Sequence, residues 1–448
     1  MRARDAHLGT QYAAAHLRRA GLGQGDRLAL APIVPVDLDE AALVQSRVLP
    51  VALAALRSGI TPVMVNPALG PAERDYVLRD CEPAYTVGSV EDLARLTEPT
   101  DTVGTELADH LIARSMHYTS GTTGQAKGVW NGFLSPELQS QWWDDQQDQW
   151  QFEAGDTTLV HGPLAHSAPL RFSVLTVMAG GDVLLPGRFN ADLFVRILAE
   201  EKPTTAFTVP EHLSRLLARD DLPPSPYRVL AHAGSSCSPA LKLRIHEWAG
   251  TDKTAEFYSA SEGTFTHCPG IEWEEHPGTL GKARPSRELF TDNGVIWSVM
   301  PEWGDFQYWN DPEKTATAWR TLDDGRRAMT VGDLGRIDEE GYLYLDGRRA
   351  DLIITGGVNV YPAIVESVLE AIPGVEEAAV FAANDDHWGQ RVCAAYIGTI
   401  GPADLAKQAK PQLAKYQLPK EFHQLDELPR TATGKLRRLA LPALLGLE

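Results

Sequence analysis

The chain has 448 residues, of which 43% are hydrophobic and 23% charged, with a formal net charge of -19. Its length exceeds one ordinary core and predicts at least two globular domains. The acidic excess opposes nucleic acid or an anionic membrane surface as a partner, so any anionic ligand must be met by local basic clusters.

Cys81, Cys237, Cys268 and Cys393 are widely separated with no C-x-x-C pair, which suggests neither a zinc site nor a disulfide framework. A reducing cytoplasm is the default expectation. Arg2, Arg4 and Asp5 open the chain without the apolar core of a signal peptide, and no segment approaches about 18 uninterrupted apolar residues. No fixed-period repeat is found.

In chain order, an amphipathic run through Tyr12, Leu17 and Leu22 predicts a helix, and Asp26 to Ala31 a buried strand. A helix through Val51, Leu53 and Leu56 and a strand from Thr61 follow, and this alternation predicts βα units on a mostly parallel sheet. The stretch from His117 to Val129 then gathers Thr119, Ser120, Thr122 and Thr123 with Gly121, Gly124, Lys127 and Gly128. Glycines let main-chain N–H groups converge on an anion, hydroxyls add donors and the lysine adds charge, so a polyphosphate is the expected ligand. Ala126 and Gly128 flank the lysine where a Walker A loop needs Gly and Ser or Thr. Such a run is, by itself, equally the composition of a flexible loop.

Gln139 to Gln151, rich in Gln, Trp and Asp, predicts a solvated helix with tryptophan anchors. His166 precedes a helix with an apolar face through Phe172, Val174, Leu175, Val177 and Met178; read alone, it fits a capping or core histidine as well as a ligand contact. Val229 to Ser238 reads as a strand emerging into a small-residue turn at Gly234 and Ser235, and Glu256 to Gly263 as a second strand end. In an α/β sheet, ligands sit outside the carboxyl ends of strands. Asp333, in Gly332-Asp333-Leu334-Gly335, is either a tight-turn residue or an acceptor for two vicinal ribose hydroxyls.

Asp346 to Asp351 is an abrupt charged break between two apolar strands and marks a domain boundary. Beyond it, Leu352 to Thr355, a helix through Ile364, Val368 and Leu369, and strands from Val375 to Phe381 and Arg391 to Ile397 predict a small α+β unit. From Lys407 to Arg438, eight basic residues stand against three acidic ones, which is a solvated face or a local phosphate site. Gly434-Lys435 lies inside it.

Five motifs taken in order resemble the signature of the adenylate-forming superfamily, which includes acyl-CoA synthetases, carrier-protein adenylation domains and luciferases. They are Tyr118-Thr-Ser-Gly-Thr-Thr-Gly-Gln-Ala-Lys-Gly128, Tyr258-Ser-Ala-Ser-Glu262, Gly332-Asp-Leu-Gly335, Gly347-Arg-Arg-Ala-Asp351 and Leu428-Pro-Arg-Thr-Ala-Thr-Gly-Lys435. The resemblance covers nearly the whole chain. It implies an α/β fold with a large N-terminal domain of mostly parallel βα sheets (1–347), a hinge (348–351) and a small mobile α+β C-terminal domain (352–448).

The implied reaction is ATP-dependent activation of a carboxylic acid, a hydrophobic one by the run from Glu262 to Gly281, with coenzyme A as acceptor. By the same match Thr119, Ser120, Gly121, Thr122, Thr123, Gly124 and Lys127 hold the outer phosphates, and Gly234 and Ser235 lie against the adenine. Tyr258 stacks on the adenine, Ser261 touches the α-phosphate and Glu262 holds Mg2+. Asp333 accepts from the ribose hydroxyls, Arg348 contacts the ribose or phosphate, His166 gates the acyl pocket, and Asp351 is the hinge. Gly356 and Gly357 face the pantetheine arm, and Lys435 bridges carboxylate and α-phosphate. Ser259, Ser261 and Ala350 depart from the family's usual Gly, Thr and Lys, and residues 88 to 115 are compressed. A carrier-protein thiol or an oxygen or nitrogen nucleophile is the alternative acceptor. A catalytically inactive nucleotide-binding sensor or scaffold is the alternative of another class. The oligomeric state is not legible.

Overall fold

The computed structural model describes residues 1–32, 37–100, 107–119, 126–235, 237–348, 351–355, 358–385, 388–430 and 436–447. They fall into two compact units, the first comprising 1–234, 241–288 and 298–329, the second 235–240, 289–297 and 330–448.

Among its described residues the first unit carries two large sheets. In one, the strands run in the order 307–308, 127–130, 116–119, 61–64, 27–30, 85–87. The four from 116–119 to 85–87 are parallel, and the other two close the edge antiparallel. In the other, 182–184, 157–160, 205–208, 229–232 and 254–256 are parallel, and 266–269 and 282–283 follow antiparallel. The parallel strands are short and buried along nearly their whole length, as in Thr205–Thr208 and Thr61–Met64, because helices cover their faces.

The helix Leu38–Arg57 forms the hub. Asp37 caps it by accepting from the Asp39 and Glu40 amides at 2.9 and 3.1 Å. From Val48 to Leu56 every residue is buried. It packs against Ala3–Arg19, Val90–Thr97 and Ser167–Met178, so the apolar surface of its C-terminal half is covered all round.

One element departs from expectation. Pro136–Trp150 is a helix, but it is not solvated throughout: Gln139, Trp142, Gln146 and Trp150 are buried on one face. Alternating Gln and Trp concealed a stripe at helical spacing, in which the glutamines turn inward beside the tryptophans.

In the second unit, Val295 pairs with Leu334, and Asp333–Ile337 runs antiparallel to Leu343–Arg348. The apolar strand thus continues through Asp346 and Gly347 to Arg348. A further sheet has the order 358–360, 353–355, 389–398, 375–385, with 421–424 parallel to 389–398. The helix Pro362–Glu370 packs on it through Val365 and Leu369.

Candidate active site

The glycine-threonine segment is flanked by two paired strands. Thr119 pairs with Lys127, Tyr118 with Gly128 and His117 with Val129 across antiparallel strands. Gly128 is needed for close packing: a Cβ there would collide with Met116 Cε and lie 3.0 Å from Tyr118 Cζ. Lys127 Nζ donates to Asp311 Oδ2 at 2.7 Å, while Asp311 Oδ1 caps the helix Pro312–Ala318 through the Lys314 amide at 3.0 Å. The hydrogen bond from Lys127 holds the Asp311 carboxyl below the usual range. Burial, then the Lys127 charge, pushes the Lys314 ammonium down. Two cations thus stand at the root of the loop.

The second strand end is a tight turn. Ala260 and Gly263 exchange backbone hydrogen bonds at 2.8 and 3.2 Å, and Ser259 bridges Thr264, which leaves Ser261 and Glu262 at the tip. Glu262 is only 8% exposed, and its Oε1 accepts from the Tyr308 hydroxyl at 2.7 Å. Lys314 Nζ lies 4.7 Å from the centre of the Tyr308 ring, and its charge acts on Glu262. A hard cation takes carboxylate oxygen, and Glu262 suits one. No group of three or more His, Cys, Asp or Glu able to hold a metal occurs among the described residues, so phosphate and water would have to complete the shell.

The turn opens on a cavity within the first unit. Its wall is part apolar, with Leu56, Leu111, Leu134, Trp142, Leu170 and Trp303, and part cationic, with Arg114, Arg171, Arg284 and Arg287. His117 also lines it, between the Ser115 hydroxyl at 2.9 Å and the Ala165 carbonyl at 3.0 Å; burial pushes its pKa down to about 4, so it is neutral near pH 7.

His166 occupies the residue just before the helix Ser167–Met178, whose first turn and Leu170, Arg171 and Val174 line the cavity. Gly234 follows the strand Val229–His232 with φ +97°, a conformation that favours glycine. Tyr258, 8% exposed, follows the neighbouring strand Thr254–Glu256, with its ring centre 5.0 Å from that of Phe265. These residues share the carboxyl end of one parallel sheet, as expected.

Ser235, Asp333, Arg348 and Asp351 belong to the second unit. Ser235 is exposed. Asp333, 3% exposed, opens a strand rather than a turn, directly across the ladder from Arg348. Asp351 Oδ2 lies 3.7 Å from Arg438 Nε. Ser120, Gly121, Thr122, Thr123, Gly124, Gly356, Gly357 and Lys435 lie outside the described residues.

Sequence reading missed Tyr308, Asp311 and Lys314. The helix start Asn310-Asp311-Pro312-Glu313 is a visible signal, but nothing local says that its cap also meets a lysine 184 positions away. It also missed the arginines. Arg171, a lone charge within Pro169-Leu-Arg-Phe-Ser-Val, was the available clue.

Strand ends that gather hydroxyls, a carboxylate and cations beside a cavity make an enzyme site on an α/β fold, and the chain's relatives give the class, a ligase of the adenylate-forming kind. The chain matches the AMP-binding enzyme family over residues 4–290 and the AMP-binding enzyme C-terminal domain over 364–435. It belongs to the AMP-binding enzyme family. It is 30% identical to a 2-succinylbenzoate–CoA ligase of Bacillus licheniformis, covering 85% of this chain and 84% of that one. It is 31% identical to an indoleacetate–CoA ligase of Aromatoleum aromaticum, with 72% of this chain matched to 65% of its relative's length. ATP-bound MatB from Rhodopseudomonas palustris superposes with a TM-score of 0.81 at 28% identity, covering 98% of this chain and 92% of that one. No helix among the described residues is long and apolar enough to cross a membrane.

Proposed function

We propose that this protein is an acyl-CoA ligase working in two half-reactions. In the first, a carboxylate oxygen of the acid attacks the α-phosphorus of ATP. The new P–O bond forms as the bond from the α-phosphorus to the bridging oxygen breaks, and pyrophosphate leaves with the electron pair. In the second, the thiolate of coenzyme A attacks the acyl carbon and AMP leaves. Adenylation is needed because a carboxylate is a poor electrophile with no good leaving group.

The observation that carries this reading is the Ser261–Glu262 turn, which lines a cavity and whose carboxylate feels the charge of Lys314, itself next to Lys127. Catalysis of phosphoryl-type displacement is mainly positioning and charge stabilisation, and fixed cations with a buried carboxylate supply both. Glu262 would hold Mg2+, which neutralises phosphate charge when bound. Lys127 and the loop from Thr119 to Gly124 steady the outer phosphates, and Ser261 donates to the α-phosphate. Tyr258, Gly234 and Ser235 form the adenine wall, and Asp333 and Arg348 hold the ribose. His166 gates the acid's entry.

Lys435, on the C-terminal domain, bridges the attacking carboxylate and the α-phosphate. Rotation about Asp351 then withdraws it and brings Gly356 and Gly357 to the pantetheine arm. One closed geometry cannot both exclude water and admit a long thiol.

The test is pyrophosphate release with ATP and Mg2+ across short, long, aromatic and steroidal carboxylates, with free CoA, with a phosphopantetheinylated carrier protein, and with neither. Acid-dependent release with CoA-dependent thioester formation is expected. ATP binding with no acid-dependent release would instead identify a nucleotide-binding protein without catalysis.

A further inference from the structure

The acid cavity holds more positive charge than a simple acid requires. Four guanidinium groups line it, and their described acidic neighbours are few. Arg284 Nη2 donates to the Asp145 carbonyl at 2.6 Å and to its carboxylate, and Arg287 Nη1 reaches Asp145 Oδ1 at 3.3 Å. A single carboxylate, 5% exposed, therefore serves two arginines. The Asp145 charge also acts on Arg114 and Arg171, but neither hydrogen-bonds to an acid among the described residues: Arg114 donates to the Trp303 carbonyl at 2.8 Å and Arg171 to the Thr264 hydroxyl at 2.9 Å. Arg171 Nε, Arg284 Nη1 and Arg287 Nε are buried with no hydrogen-bond partner. Burial and mutual repulsion push Arg114 and Arg171 down to about 10 and Arg284 to about 9. Cations gathered in a desolvated pocket are costly unless an anion joins them.

The reacting carboxylate is a poor candidate for that anion. It loses its charge when adenylated, so cations gripping it would stabilise the ground state more than the transition state. Glu262 already has Tyr308 and Lys314 as neighbours. A group that stays anionic through both half-reactions fits the arginines better, while Leu56, Leu134, Trp142 and Leu170 take an apolar body between.

We propose that the substrate is a dianionic acid with an apolar body, whose second, non-reacting anionic group is bound by Arg114 and Arg171. This rests on the acid-activating reading above and specifies its substrate class.

The test compares acids of one skeleton with and without the distal charge: adipate against hexanoate, suberate against octanoate, terephthalate against 4-methylbenzoate. Pyrophosphate release by the full-length enzyme is expected to favour the diacid by about 10- to 100-fold in kcat/KM, the scale of charge-assisted hydrogen bonds. In Arg171→Met and Arg114→Met that ratio should fall towards one. If the unmodified enzyme uses the methyl-ended acids as well as or better than the diacids, the second-anion site is wrong, yet acid activation stands; this comparison needs no variant to fold. If the variants lose ATP affinity while the ratio is unchanged, the arginines serve the nucleotide and the proposal fails. Absence of release with every acid would sink the acid-activating reading itself, and this inference with it.

Discussion

Tyr308 places its hydroxyl 2.7 Å from Glu262, and a hydrogen bond to a charged group contributes about 1.5–3 kcal/mol. Orientation of the carboxylate should therefore depend on it. Tyr308→Phe is expected to lower acid-dependent pyrophosphate release about tenfold, measured at saturating acid alongside the melting temperature. An unchanged rate would show that Glu262 is held by other groups. His117 supports a prediction about stability. Its pKa falls from 6.5 to about 4 on folding because the ring is buried, so between those values the unfolded chain binds a proton that the native state does not. Native stability is fully present above pH 6.5, is lost as pH falls, and levels off below about 4. The slope is about 1.4 kcal/mol per pH unit for one such group. His212 and His267, also lowered to about 4 by burial, act in the same direction. Urea unfolding at pH 7, 6 and 5 should therefore show a steep loss, and His117→Asn should flatten it by about one proton's worth. A slope unaltered in the variant would mean that His117 is protonated in the native protein.

At the scale of elements, the register of the strands 116–119 and 127–130 fixes where the two ends of the glycine-threonine segment stand. Gly128→Ala forces Met116 and Tyr118 to move, and overpacking of this kind costs about 1–3 kcal/mol. The urea midpoint should drop correspondingly, and pyrophosphate release should fall further than stability alone explains. A variant as stable as the parent would show that the strands relax freely. Periodicity made such elements legible: the strand at 61–64 and the helix Pro362–Glu370 lie where apolar spacing puts them. It failed where polar side chains turn inward. Gln139 and Gln146 are buried because they line a cavity rather than a packed core, and helical spacing of glutamine carries no hydrophobic signal. The site divides in the same way. Ser261 and Glu262 are singled out in sequence because their neighbours form a motif. Arg114, Arg171, Arg284, Arg287 and Tyr308 have hydrogen-bond partners far off in the chain, which only folding brings near.

For the whole molecule, the family match over residues 4–290 and 364–435 takes in both ends of the chain and contains three of the five motifs, those at 118–128, 258–262 and 428–435. Motif order is legible because it is a property of the chain itself, whereas substrate identity is a property of cavity walls assembled from distant segments. The two half-reactions make different demands on one lysine. In the proposed mechanism Lys435 would be required when a carboxylate must meet the α-phosphate and dispensable once the acyl-adenylate exists. The decisive measurement is therefore Lys435→Ala assayed on each half-reaction separately. The variant should lose acid-dependent pyrophosphate release by more than about 100-fold, as expected when a positioned charge is removed from a displacement at phosphorus, while keeping thioester formation from preformed acyl-adenylate and CoA within severalfold of the parent. Equal loss of both half-reactions, or full retention of the first, would contradict the account.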